Sequence, residues 1–320
     1  MQARRDGFRS PERLARSGAV RHAGRMNYRH AFHAGNFADL LKHAVLLELL
    51  HVMARRPAPL TVIDTHAGAG IYDLRGEAAR RTGEGEAGIV RLMDEGELPP
   101  TLVRLKAEVA TVNGGRSPVQ LYPGSPLLMA RALRPRDRLI ACERRADDYA
   151  ALKQALPRQA GAECLMSDGW RIAAERAPAA PAALLVLIDP PFEAADDQAQ
   201  IGRLIRRLLR RNRGAVVAVW VPLKDLATYD ALLTEIADAA GAAAVLAAEV
   251  RMRPPVDPMR MNGCAVVTIN PPASLAQAAE GGRMARGAVG GKRRRRPGVA
   301  TCRDLKPAGS PCFARALRFR

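Results

Sequence analysis

A chain of 320 residues with 48% hydrophobic content can bury a sizeable core, either in one decorated α/β domain or in two small ones. No stretch approaches the roughly 20 uncharged apolar residues of a membrane span. The five cysteines (Cys142, Cys164, Cys264, Cys302, Cys312) lack C-x-x-C spacing, and the arginine-rich first 25 residues hold no continuous apolar segment, so a membrane protein, a disulfide framework, a zinc ribbon and a secretory signal are all disfavoured and a reducing cytoplasm is expected.

The net charge of +18 divides into +5 for residues 1–25, +11 for 281–320 and only +2 for 26–280. A nucleic-acid reading of the folded part must therefore rest on local chemistry. Both ends lack apolar periodicity, and the last is built from Gly, Arg, Ala and Pro around the run Lys292 to Arg296, so disorder is expected in 1–25 and 281–320. Two origins stand side by side for these ends: a start extended upstream of Met26 with a shifted frame after about Glu280, or a real basic tail that binds RNA phosphates without needing structure.

In chain order, Asn36 followed three residues later by Asp39 predicts a helix start, and Leu40, Leu41, Ala44, Val45 and Leu49 continue its apolar spacing. Short apolar runs at 60–64, 138–142, 184–188, 215–220, 243–250 and 265–269 predict strands separated by helical patterns. The expected fold class is α/β: a doubly wound, Rossmann-like sheet in one domain over 26–280, with a mostly helical insertion at about 75–125.

The first predicted strand runs through Asp64 into Thr65-His66-Ala67-Gly68-Ala69-Gly70, whose glycines allow a close backbone approach to a ligand. A nicotinamide fingerprint would place a third glycine where Asp73 stands and an acid about 20 residues on. The next strand ending in an acid is at Glu143, 79 residues after Asp64.

A sharper signal is the apolar run 184–188 leading into Asp189-Pro190-Pro191-Phe192. An amino group on an aromatic ring is a poor nucleophile, because its lone pair is delocalised. Asp189 and the carbonyl of Pro190 can each accept one of its hydrogens, which favours a geometry that points the lone pair at a methyl donor, and Phe192 can stack on the base.

These motifs, together with Tyr28-Arg29-His30-Ala31-Phe32-His33-Ala34-Gly35-Asn36, Ala38-Asp39, Lys42-His43, Tyr122-Pro123-Gly124-Ser125-Pro126 and Asp168-Gly169, resemble the RlmJ-type 23S ribosomal RNA adenine-N6 methyltransferases from about residue 26 to about 272. The opening block and Y-P-G-S-P are specific to that family. D-P-P-F is shared with methyltransferases of DNA adenine, cytosine-N4 and protein glutamine.

The resemblance implies a Rossmann-like methyltransferase using S-adenosylmethionine, surrounded by Lys42, His43, His66, Ser125, Glu143, Asp168, Gly169 and Asp189. It further implies catalysis by Asp189, Pro190 and Phe192, RNA contacts from Tyr28 and Lys42, and a monomer acting on 23S rRNA before full assembly. The expected route is flipping of one adenine and direct methyl transfer to N6.

Other readings accompany these. Lys42 could be a solvated helix residue, Tyr28 a packing aromatic, Ser125 a helix cap and Tyr72 a core residue. All six histidines fall within the first 66 residues but form no convincing metal-ligand set, so no metal is expected. Arg203, Arg206, Arg207 and Arg210 form either a phosphate stripe or a solvated helix face. The loop 251–262, with Arg253 and Arg260, stands as a further substrate contact. Methylation of another amino group, or a silent RNA-binding protein, remain as rivals, and Asp64, Glu143 and Asp189 count against the second.

Overall fold

The computed structural model describes residues 29–156 and 161–275, and the backbone of 313–319. Asn36 opens α1 (Phe37–Ala54), its side chain accepting from the amides of Ala38 and Asp39, as the cap spacing predicts. Helix α1 is apolar nearly all round because it is covered on two sides. Leu41, Val45 and Leu49 face the main sheet, while Leu47 packs with the insertion residues Leu105 and Val109.

The main sheet contains β1 (Leu60–Asp64), β4 (Arg138–Glu143), β5 (Ala162–Met166), β6 (Ala183–Ile188), β7 (Val216–Leu223), β8 (Val245–Arg251) and β9 (Gly263–Ile269). Their order is β8-β9-β7-β6-β1-β4-β5. All pair in parallel except β9, which runs antiparallel to both neighbours. The chain moves outward from β1 on one side and returns to its other side with β6, so the topological reversal lies between β1 and β6 and opens a crevice at their carboxyl ends.

Strand residues alternate between two covered faces, which is why the runs read as continuously apolar. Leu185 and Leu187 join α1 and α5 (Ser125–Ala132) on one face. Leu184, Val186 and Ile188 join α7 (Gly169–Arg176), α8 (Asp197–Arg211) and α9 (Leu226–Ala240) on the other. Helix α6 (Ala146–Ala155) connects β4 to β5.

The insertion forms as expected, with α2 (Glu77–Thr82), a π turn at Glu86–Val90, α3 (Arg91–Asp94) and α4 (Pro100–Val112). Its neck was not predicted: β2 (Ile71–Asp73) pairs antiparallel with β3 (Leu121–Pro123). Strand β5 was also missed, because this edge strand is only half-buried and lacks a continuous apolar signature.

The expectation of disorder throughout 281–320 needs correcting in one place. Phe313–Phe319 forms β10, parallel to the outer edge of β8. An edge strand presents unpaired amides and carbonyls that favour any strand able to pair with them. The remainder of that tail, and the expected disorder of 1–25, lie outside the described residues.

Candidate active site

A cavity of about 450 Å3 opens at the carboxyl ends of β1, β4, β6 and β7. The loop after β1, the end of β4, the turn after β6 and the first turns of α1 converge on it.

The deepest feature is a chain of charges. Lys42 Nζ lies 2.8 Å from Asp39 and 2.7 Å from Asp189 Oδ2, and Asp39 also binds His30 Nε2 at 3.0 Å and the amide of Gly35 at 2.9 Å. Lys42 is 5% exposed and Asp39 2%, so Lys42 is no solvated helix residue. Burial opposes its charge, but Asp189 and Asp39 outweigh burial and hold its pKa well above the ordinary value. Burial likewise opposes ionisation of Asp39, and the nearby His30 and Lys42 overcome it to keep its pKa well below the usual carboxylate range. His30, Asp39, Lys42 and Asp189 all line the cavity, and Asp189 does so from the turn that continues into Pro190, Pro191 and Phe192.

Phe192 adopts φ of 54°, a left-handed conformation costly for a bulky residue. Its ring centroid lies 5.8 Å from that of Trp220 on β7. These two rings and Met261 form an apolar wall beside Asp189.

On the neighbouring strand β1, Asp64 is fully buried and accepts a 2.7 Å hydrogen bond from Ser125 Oγ. Burial pushes its pKa up to about 7; Ser125 opposes this and Asp189 adds to it. Ser125 begins α5 but makes no side-chain cap, so its hydroxyl serves Asp64 rather than the helix end.

His43 Nδ1 lies 2.7 Å from the Tyr122 hydroxyl, and burial pushes its pKa down to about 3. Its Nε2 has no hydrogen-bond partner among the described residues. His66, with a pKa pushed down to about 4 by burial, pairs with the Thr65 hydroxyl at 2.8 Å and sets its ring edgewise on Trp170. Both imidazoles are neutral near pH 7.

Glu143 ends β4 and accepts from the amides of Gly68, at 2.9 Å, and Arg145, at 2.7 Å. Burial raises its pKa. Each oxygen keeps a second lone pair for a ligand hydroxyl. Gly68 has φ of 63°, and a Cβ there would run into the Tyr72 hydroxyl. Tyr72 is a core residue whose oxygen also accepts from the Ala69 amide at 3.1 Å.

The structure brings Lys42, His43, His66, Ser125, Glu143, Asp189, Pro190 and Phe192 to one cavity. Asp168 and Gly169 stand just outside its lining. Asp168 caps α7 through the amides of Trp170 and Arg171 and lies 3.8 Å from Arg144, and Gly169 is required because a Cβ would enter the Thr65 carbonyl. Tyr28 lies outside the described residues.

The sequence alone does not single out Asp39 and Trp220, which line the cavity, or Tyr122, which is buried behind it as the partner of His43. Asp39 had a readable signal, an acid three residues before Lys42 on one helix. The arginines of α8 are exposed, but Arg206 pairs with Glu235 at 3.0 Å and the helix runs away from the cavity end, which favours a solvated face. Among the described residues, no group of three or more His, Cys, Asp or Glu is arranged to hold a metal.

The family described as ribosomal RNA large subunit methyltransferase D, RlmJ, matches residues 57–282. The chain belongs to the RlmJ family. It is 32% identical over 250 residues to ribosomal RNA large subunit methyltransferase J of Haemophilus influenzae, covering 78% of this chain and 89% of that protein. With the Escherichia coli protein of the same name it shares 33% over 254 residues, covering 79% and 89%. Among solved structures, protein LPL1258 of Legionella pneumophila aligns with a TM-score of 0.67 and 29% identity, over 75% of this chain and 87% of that one. The RlmJ-family match begins after α1, so Lys42 and His43 lie upstream of it and yet line the same cavity as the matched Glu143 and Asp189.

Proposed function

We propose that this protein methylates the exocyclic N6 of an adenine in large-subunit ribosomal RNA, with S-adenosylmethionine as methyl donor. The observation that carries the reading is Asp189, which lines the crevice just before Pro190-Pro191-Phe192 and is anchored 2.7 Å from the buried Lys42.

The residues fit the cofactor. The crevice is large enough to admit a nucleoside-sized ligand, and Glu143 supports bidentate recognition of ribose hydroxyls. The unspent Nε2 of His43 is a further polar contact. When bound, S-adenosylmethionine supplies an electrophilic methyl group on a positively charged sulfur.

Lys42 occupies one of about four acceptor positions on Asp189, leaving others for an amino hydrogen. The Pro190 carbonyl accepts the second hydrogen. Phe192, its ring backed by Trp220, is placed to stack on the flipped base, which favours an aromatic substrate. The N6 lone pair would form the new N–C bond as the donor's methyl–sulfur bond breaks, the bonding pair staying on sulfur to leave a neutral thioether, and Asp189 would hold the proton that N6 then gives up.

We further assign the activity to one domain over 26–280, acting as a cytoplasmic monomer on 23S rRNA before assembly is complete, when an adenine can still be extruded. Asp168 and Gly169 then support the cofactor's adenine end from just outside the crevice, and Tyr28 reaches the RNA.

The test is to incubate the parent and Asp189→Ala with methyl-labelled cofactor and protein-free large-subunit rRNA, then identify the labelled nucleoside. Labelled N6-methyladenosine from the parent, reduced at least about a thousandfold in the variant, is expected. Cofactor binding with no label in RNA would move the reading to another amino substrate.

A further inference from the structure

We propose that the connection between β8 and β9 is a wedge for the substrate RNA: Val256 and Met259 enter the base stack at the position vacated by the flipped adenine, while Lys224 and Arg253 hold the flanking phosphates. The proposal rests on the function above and assigns the surface that extrudes the base.

Both β7 and β8 run antiparallel to β9, so the β8–β9 connection lies at the same end of the sheet as the crevice. Its last part reaches the crevice itself through Met261. The connection is also pinned. Asn262, fully buried, donates from Nδ2 to the carbonyls of Lys224, at 2.6 Å, and Asp257, at 2.7 Å. Its own carbonyl accepts from the amides of Met252 and Arg253. Pro254, Pro255 and Pro258 restrict the backbone further.

On this fixed platform Val256 is 84% exposed and Met259 89%. Burial of apolar side chains of this size is favourable, and here two of them stand in water on a pinned loop. An unbranched, polarizable methionine suits insertion between bases, and apolar wedges of this kind unstack nucleic acids. Charge selects the same partner. Lys224 and Arg253 are exposed and form no ion pair among the described residues, while Arg260 is matched by Asp257 at 3.3 Å.

The experiment compares the parent with V256S/M259S on two versions of one rRNA fragment, one with the target adenine stacked and paired, the other with it opposite an abasic site. Because both side chains point into solvent, folding is retained, and unchanged cofactor affinity checks this. With the stacked RNA, kcat/KM is expected to fall about tenfold or more; with the pre-opened RNA, less than about twofold. Equal losses on both RNAs, or none on either, would overturn the wedge. A parent inactive on both RNAs while binding cofactor would instead overturn the methyltransferase reading on which the wedge rests.

Discussion

Two carboxylates stand side by side at the topological reversal of the sheet, and they behave as opposites. Asp64 closes β1 and Asp189 follows β6, on neighbouring parallel strands. Asp64 is sealed in, has the Ser125 hydroxyl as partner and holds its proton up to about pH 7. Asp189 is open to the crevice and is bound to the ammonium of Lys42. Position in the topology therefore does not fix the chemistry of such an acid. The helix that reaches over it does: α5 brings a hydroxyl to one, α1 brings a cation to the other.

The largest way to break this contrast is Lys42→Met. It leaves Asp39 buried and Asp189 without its cation, and removing one partner from a buried ionic cluster costs about 3–5 kcal/mol. Urea unfolding should register that loss, and methyl transfer should fall with it. Unchanged stability would show that the cluster is solvated in solution.

Asp64→Asn tests the other side. The native state keeps the Asp64 proton up to about pH 7, whereas an unfolded aspartate loses it near pH 4. Between those values the folded protein binds more protons than the unfolded chain, so this group's contribution to stability falls as pH rises and levels off above 7. The Asn variant should lose that slope in unfolding midpoints measured from pH 4 to pH 7. Asp39, with its lowered pKa, contributes in the opposite sense below pH 4, which keeps the two windows apart.

The smallest effect is expected for Ser125→Ala. It removes one hydrogen bond to Asp64, costing about 1 kcal/mol at alkaline pH and less at pH 5. A pH-independent loss would mean that Ser125 acts only by packing.

The same contrast explains how much could be read in the chain. The cap at Asn36, the glycine loop after Asp64 and the D-P-P-F turn are signals within a few residues, and the structure has each where the sequence places it. The links that give the site its electrostatics join Lys42 to Asp189 across 147 positions and His43 to Tyr122 across 79. No local pattern encodes such pairs; they follow from the crossing of α1 over the sheet. Trp220 looked like one more apolar residue of a buried strand, and β5 and β10 lie at edges where burial imposes little alternation. Asp168 and Gly169 were legible as important residues, and their packing and capping roles explain part of that signal.

The neck of the insertion carries one more consequence. Because β2 and β3 lie side by side, with the Gly124 amide donating to the Gly70 carbonyl at 2.9 Å, the insertion leaves and re-enters the domain at nearly one point. Lengthening the segment between the two strands then costs only a slowly growing loop-closure entropy. It shifts no register in the main sheet. Added length is thus absorbed at the far end of the insertion, while its near part stays tied to the site through Glu84, which lines the crevice, and through Leu105 and Val109, which pack on α1.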